Sequence, residues 1–264
     1  MAPRLSPTFL ALLVCLSAAT RVVMAQVQDP HNAQPERPTV ATHAGTVAPG
    51  WLEVEFGGEF DRYGSSDYGG GVPLVAKFGL TSRVQLSVYG SAVSPRGGNT
   101  VGLGDVAVGV KWRILDHSPV LGRFAVLPSV KFPTGSATSG AGTGTTDVSV
   151  LLISSRELGP VELDINAGYT RRSGTGDTAP RDATLWTFAF GGPVIGGLGW
   201  TAEIYGYPRT AGPAGQASTV AVLAGPMVTL RRYLTMDGGV IVPVAGGQPR
   251  AVYAGGVWNI GRLW

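Results

Sequence analysis

The sequence predicts an all-β fold: a transmembrane, antiparallel, up-and-down β-barrel of about twelve strands over residues 50–264, following a cleaved signal peptide. Three observations predict it. Apolar and polar residues alternate with period two in segment after segment from Trp51 onward, the connections alternate between short and long, and aromatic residues gather near the segment ends. Composition agrees. Of 264 residues 40 are glycine, about twice the usual share, and only 14% are charged, which suits a wall whose outer face meets lipid.

Residues 1–25 read as a secretory signal: Arg4 supplies the basic start and Phe9–Ala19 an apolar run too short to cross a bilayer as a helix. Val23-Met24-Ala25 places the cut between Ala25 and Gln26. The single cysteine, Cys15, follows Val14 rather than the small residue lipidation needs and leaves with the signal, so disulfides and thiol chemistry leave with it. Loss of Arg4 and Arg21 leaves 18 basic against 17 acidic residues, scattered singly, and no nucleic-acid patch. Residues 26–49, polar and broken by Pro30, Pro35, Pro38 and Pro49, are expected to be a disordered periplasmic leader, too short for a plug domain.

The strands follow in order. Over 51–60, Leu52, Val54, Phe56 and Phe60 face lipid while Glu53, Glu55 and Glu59 face inward. Over 71–80, Val72, Leu74, Ala76, Phe78 and Leu80 alternate with Pro73, Val75 and Lys77. Residues 83–92 turn Arg83, Gln85, Ser87 and Tyr89 inward, and 104–115, the cleanest dyad, turns Asp105, Ala107, Gly109, Lys111 and Arg113 inward. Residues 123–132 place Arg123, Ser129 and Lys131 inside, and 147–156 is apolar on both faces at Leu151–Ile153. Residues 161–170 set Glu162, Asp164 and Asn166 inside, 184–192 presents Trp186, Phe188 and Phe190, and 199–207 turns Glu203, Tyr205 and Tyr207 inward. The last three strands are expected near 218–229, 235–244 and 250–261.

Short turns near 80–82, 116–122, 157–160, 193–198 and 231–234 are expected in the periplasm with both termini, and longer Gly/Ser/Thr/Pro-rich loops, 133–146 among them, outside. Phe78, Trp112, Phe124, Phe190, Trp200 and Trp258 make one aromatic belt, and Phe60, Phe132, Tyr169 and Trp186 the other. Trp258, Ile260 and the terminal Trp264 look like the signal read by the outer-membrane assembly machinery, with Arg262 interrupting the alternation. The rival fold is a secreted β-sandwich, which also buries one face of each strand.

The stretches Gly102–Leu115 (GLGDVAVGVKWRIL), Leu127–Gly135 (LPSVKFPTG) and Phe78–Leu86 (FGLTSRVQL) resemble an outer-membrane family labelled as phenol meta-pathway degradation proteins, often termed transporter-like. The resemblance is strongest over 72–135. It implies a porin-like barrel in the cell outer membrane that serves uptake of aromatic or other small hydrophobic compounds. It brings no catalytic residues with it.

The residues themselves point the same way. Nucleophilic catalysis needs a base beside a serine. His31 and His43 lie in the leader and His117 in a turn, so an outer-membrane hydrolase is the weakest reading and no enzyme is expected. Glu53/Glu55 and Glu162/Asp164 could be glycosidase pairs, but inward bases offer them ion-pair partners. Asp61, Asp67, Asp177 and Asp182 lack calcium-ligand spacing, and no cofactor signature occurs. The expected site is a narrow pore for passive passage of a small solute, lined by Glu53, Glu55, Glu59, Lys77, Arg83, Tyr89, Asp105, Lys111, Arg113, Lys131, Glu162, Asp164, Glu203 and Tyr205. The alternative is a closed barrel, structural or acting through its outer loops. Expected partners are outer-membrane lipid, the assembly machinery and the solute.

Overall fold

A computed structural model describes residues 29–97, 101–174, 180–208, 218–247 and 249–264. The expected signal peptide, its cut between Ala25 and Gln26, and Asp177 lie outside these residues. Among the described residues the strands are β1 (Trp51–Arg62), β2 (Tyr68–Thr81), β3 (Val84–Ser94), β4 (Gly102–Leu103), β5 (Val106–Leu115), β6 (Arg123–Phe132), β7 (Asp147–Leu158), β8 (Val161–Arg172), β9 (Asp182–Ile195), β10 (Leu198–Tyr207), β11 (Thr219–Arg231), β12 (Leu234–Gly246) and β13 (Arg250–Arg262). Each long strand pairs antiparallel with the next long strand in sequence, β3 with β5, and the two-residue β4 pairs with β3 alone. β1 pairs with both β2 and β13, so the sheet closes on itself as a twelve-strand wall. Closure removes every sheet edge, which a wall lying in lipid requires.

The expected face assignment holds, and burial excludes the sandwich. Lys77, Lys111, Glu53, Gln85 and Asn259 are fully buried, whereas Val72 and Trp112 are both 55% exposed. A sandwich would bury the apolar parity; here that parity faces outward, as lipid demands. The undecided strand 147–156 resolves the same way: within β7, Asp147, Ile153 and Ser155 are buried, and Val148 and Leu152 exposed. Short turns gather at one end, the short-turn end, and longer connections at the other, the long-loop end. Gly159 and Gly196 occupy tight hairpins with φ of 68° and 57°, left-handed values that favour glycine. Loop 133–146 does not hang free. Asp105 accepts hydrogen bonds from Gly135 N (3.0 Å) and Thr143 N (2.9 Å), which hold the loop back against β5.

The leader corrects the sequence reading. From Asp29 onward residues 29–49 are ordered inside the barrel and plug it. They enter at the short-turn end, where Ala33 N bonds Arg232 O, reach mid-height at Val40–Ala41, and return to Gly50 N–Gly79 O at the foot of β1. The prolines did not signal disorder. A segment without regular structure can be buried when each backbone polar group finds a partner, and here the wall supplies side chains as partners.

Glycines on the inner wall make the room. A Cβ on Gly57 or Gly255 would come within 2.3 or 2.5 Å of the Arg37 guanidinium, and one on Gly79 within 2.0 Å of the Ala48 carbonyl oxygen. Gly255→Val should therefore lower barrel stability by about 1–3 kcal/mol, the usual cost of overpacking. Chemical unfolding from lipid vesicles would measure it, and an unchanged midpoint would contradict the close fit.

Candidate functional site

The inward charges form a cradle for the leader. Glu53 accepts from Gln34 N and Glu55 from Glu36 N, each at 2.7 Å. Glu203 accepts from Val40 N and Ala41 N, both at 2.7 Å. Asn166 brackets Thr42, accepting its N–H at 2.8 Å and donating to its carbonyl at 3.0 Å. Ser155 Oγ receives Ala44 N and Gln85 Oε1 receives Val47 N. These acceptors stand where a neighbouring strand's carbonyls would be in a sheet, and this lets an irregular chain run through the lumen.

Ion pairs lock the arrangement. Lys77 Nζ lies 2.6 Å from Glu53 and 2.7 Å from Glu55, and also donates to Gln34 O at 2.7 Å. Lys111 Nζ lies 2.5 Å from Glu36 and reaches the carbonyl oxygens of His43 and Gly45 at 2.9 and 3.0 Å. Arg37 grips Asp237 with two hydrogen bonds of 2.8 and 3.0 Å. Both lysines are fully buried, so each charge depends on its partners, and removing one partner strands the other.

Above the leader, towards the long-loop end, lies a cup of about 560 Å³, a volume that suits a small organic molecule. Its floor is Glu36–Thr42. Its walls mix Tyr89, Tyr207 and Tyr253 with Val75, Leu127, Leu151, Leu185 and Ile241. Most of its charges are matched: Lys131 Nζ lies 2.8 Å from Asp105 and 3.4 Å from Asp147, and Arg172 Nε lies 3.9 Å from Asp147, while Glu59 forms no ion pair among the described residues.

The residues expected to line a pore therefore divide. Glu53, Glu55, Lys77, Lys111 and Glu203 hold the leader rather than line open water. Glu59, Tyr89 and Lys131 line the cup, and Asp105 anchors its rim. Tyr205 is buried edge-on against Tyr207, with ring centres 6.0 Å apart. Glu162 pairs with Arg123 at 2.9 Å, and Asp164 accepts from the Ser155 hydroxyl, both in the short-turn half.

Arg83 and Arg113 require correction. Arg83 is half exposed at the short-turn rim, and both guanidiniums converge on Asp116, Arg113 at 2.9 Å. Against the desolvation that would raise it, the combined hydrogen bonds and charges of the two cations hold the Asp116 carboxyl below its ordinary range. They sit there because Arg83 immediately precedes β3 and Arg113 lies two residues before the end of β5, where a long basic side chain reaches the turn.

Sequence reasoning missed Glu36, Arg37, Ser155 and Asp237, and set Asn166 inside without a role. The available signal was glycine on the inward parity at Gly57, Gly79 and Gly255, which marks close approach of another chain segment. Of the leader histidines, His43 Nδ1 accepts from Gly45 N, and His31 lies against Trp51 and Tyr233. Among the described residues no acidic or histidine cluster could hold a metal ion.

Residues 36–231 match the model of a family described as "Putative MetA-pathway of phenol degradation". The fold is similar to that of an outer membrane channel from Pseudomonas putida F1, with TM-score 0.62 and 12% identity over 81% of this chain and 97% of that one. It is also similar to the KdgM porin, with TM-score 0.55 and 10% identity over 79% of this chain and 99% of that one. At these identities the likeness establishes the fold. No curated protein matches the sequence.

Proposed function

The chain belongs to that phenol-degradation family, and from this premise we propose that it is an outer-membrane channel for a small, uncharged, aromatic or hydrophobic solute, closed at rest by its own leader. The observation that carries the reading is the cup: a cavity open towards the long loops, walled by tyrosines, Tyr207 and Tyr253 among them, and aliphatic side chains, with most of its charges paired and the leader as its floor. Tyrosine rings offer flat faces for an aromatic solute, and the pairing of most charges weakens the field that would favour an ion. Short turns and both termini belong in the periplasm, and the cup faces outward. The family and the folds it resembles favour passage over chemistry, and the channel role rests on the cup.

The test is uptake into proteoliposomes of the refolded mature chain. A phenol-sized aromatic should enter faster than a sugar of equal mass, and Tyr207→Ala with Tyr253→Ala should slow the aromatic about tenfold while leaving the sugar unchanged. Equal entry of both solutes, unaffected by the tyrosine changes, would overturn an aromatic-selective cup.

A further inference from the structure

A second surface lies on the lipid face of the wall and is independent of the channel reading. Arg62 on β1 and Arg250 on β13 are direct cross-strand partners, both exposed and both on the outward parity. Direct partners stand about 4.5–5.5 Å apart, and like charges so placed destabilise a sheet. Neighbouring arginines at this end have acids: Arg96 pairs with Asp67 and Arg171 with Asp182. Among the described residues Arg62 and Arg250 pair with none. Arg62 uses only Nε, donating to Gly64 O at 2.8 Å, which leaves its terminal nitrogens free.

One row nearer the membrane centre, the apolar surface is hollow. The β1–β2 ladder lapses between the pairs Phe56–Leu74 and Glu59–Gly71, where Pro73 has no N–H to donate. A groove of about 550 Å³ opens there, lined mainly by Phe60, Tyr68, Val72, Val101, Val252 and Ala254, with Ser94 and the inward-parity Glu59 and Tyr253 also reaching it. Phe60 and Tyr68 stack at 5.3 Å along it. Two unpaired guanidiniums thus stand directly above an apolar groove at the long-loop rim. A guanidinium binds phosphate oxygens bidentately, and a phosphate between the pair would turn their repulsion into attraction.

We propose that Arg62 and Arg250 bind the phosphate headgroup of an outer-leaflet glycolipid of the lipid A type, with an acyl chain of the same molecule lying in the groove. The phosphate answers the charge and the chain fills the hollow, so this ligand uses both features at once.

The experiment follows thermal unfolding of the refolded mature barrel in detergent, by loss of heat-modifiable mobility, with bis-phosphorylated lipid A added. Lipid A should raise the midpoint of the parent. Its affinity should fall about tenfold for Arg62→Gln or Arg250→Gln and further for the double variant, while Arg171→Gln, which changes an ion-paired arginine, matches the parent. Lipid A stripped of phosphate should give no shift. Without lipid, each single variant should be at least as stable as the parent, because the repulsion is gone; this keeps the test valid if the double variant does not fold. A full shift with the double variant, an equal shift with dephosphorylated lipid, or the same shift from inorganic phosphate alone would each overturn a lipid site.

Discussion

A mature chain lacking residues 29–45 should conduct ions at least about tenfold better than the parent in planar bilayers, because a twelve-strand barrel is wider than its own side chains can fill and the leader is the added filling. The open lumen should also prefer cations. Its wall would then expose Glu53, Glu55, Glu203 and Asp237, with Glu59 above them, against Lys77 and Lys111, the leader having taken Arg37 with it. The two lysines keep acid partners or gain water, so the barrel should still assemble and show heat-modifiable mobility. A folded deletion variant with the parent's conductance would show that something other than the leader closes the pore, and the proposed gate would be lost.

Lys111→Met should free the leader without removing it. The Lys111 ammonium holds Glu36 at 2.5 Å, Thr42 Oγ1 at 3.2 Å and two leader carbonyls. Without it Glu36 keeps a hydrogen bond from Gln85 Nε2 at 3.0 Å, and its one remaining cation is Lys77, 3.7 Å away. Stranding a buried charge costs about 3–5 kcal/mol, and the leader can relieve that cost by leaving the lumen. Ala44→Cys, fully buried in the parent, reports the change, since the only native cysteine lies in the expected signal peptide. Maleimide labelling of this thiol should accelerate about a hundredfold or more in the Lys111→Met background. Adding Glu36→Gln should slow it again, because the stranded carboxylate is gone; coupling of this kind is expected of residues in one network. Equal labelling rates with and without Lys111 would mean that the leader is held by its backbone hydrogen bonds alone.

The two variants probe one design from opposite sides. Deletion tests whether the leader is the closure, and Lys111→Met tests whether a buried ion pair is its latch. In both, the inward charges act on the leader before they act on any solute, so charge reversal at Lys111 should first alter opening and only then selectivity.

The sequence by itself determined the barrel, because every wall strand answers to one local rule. Period-two alternation sends Lys111 inward and Trp112 outward regardless of what lies elsewhere in the chain. The same rule set the aromatic belts and, through turn chemistry at Gly159 and Gly196, the short hairpins. Of the longer loops expected outside, those at 171–183 and 208–217 lie partly or largely outside the described residues.

Only the tertiary structure decided what fills the barrel. Residues 29–49 carry no periodicity, and a proline-broken polar stretch reads as disordered when its partners are unknown. Its partners are Glu53, Asn166, Glu203 and Asp237, brought together by closure of the sheet across as many as 200 positions of sequence. A charge at an inward position has two possible uses, to face water or to hold a buried backbone, and the alternation pattern is the same for both. Which one prevails depends on whether another segment occupies the lumen, and that is a property of the closed barrel rather than of any strand within it.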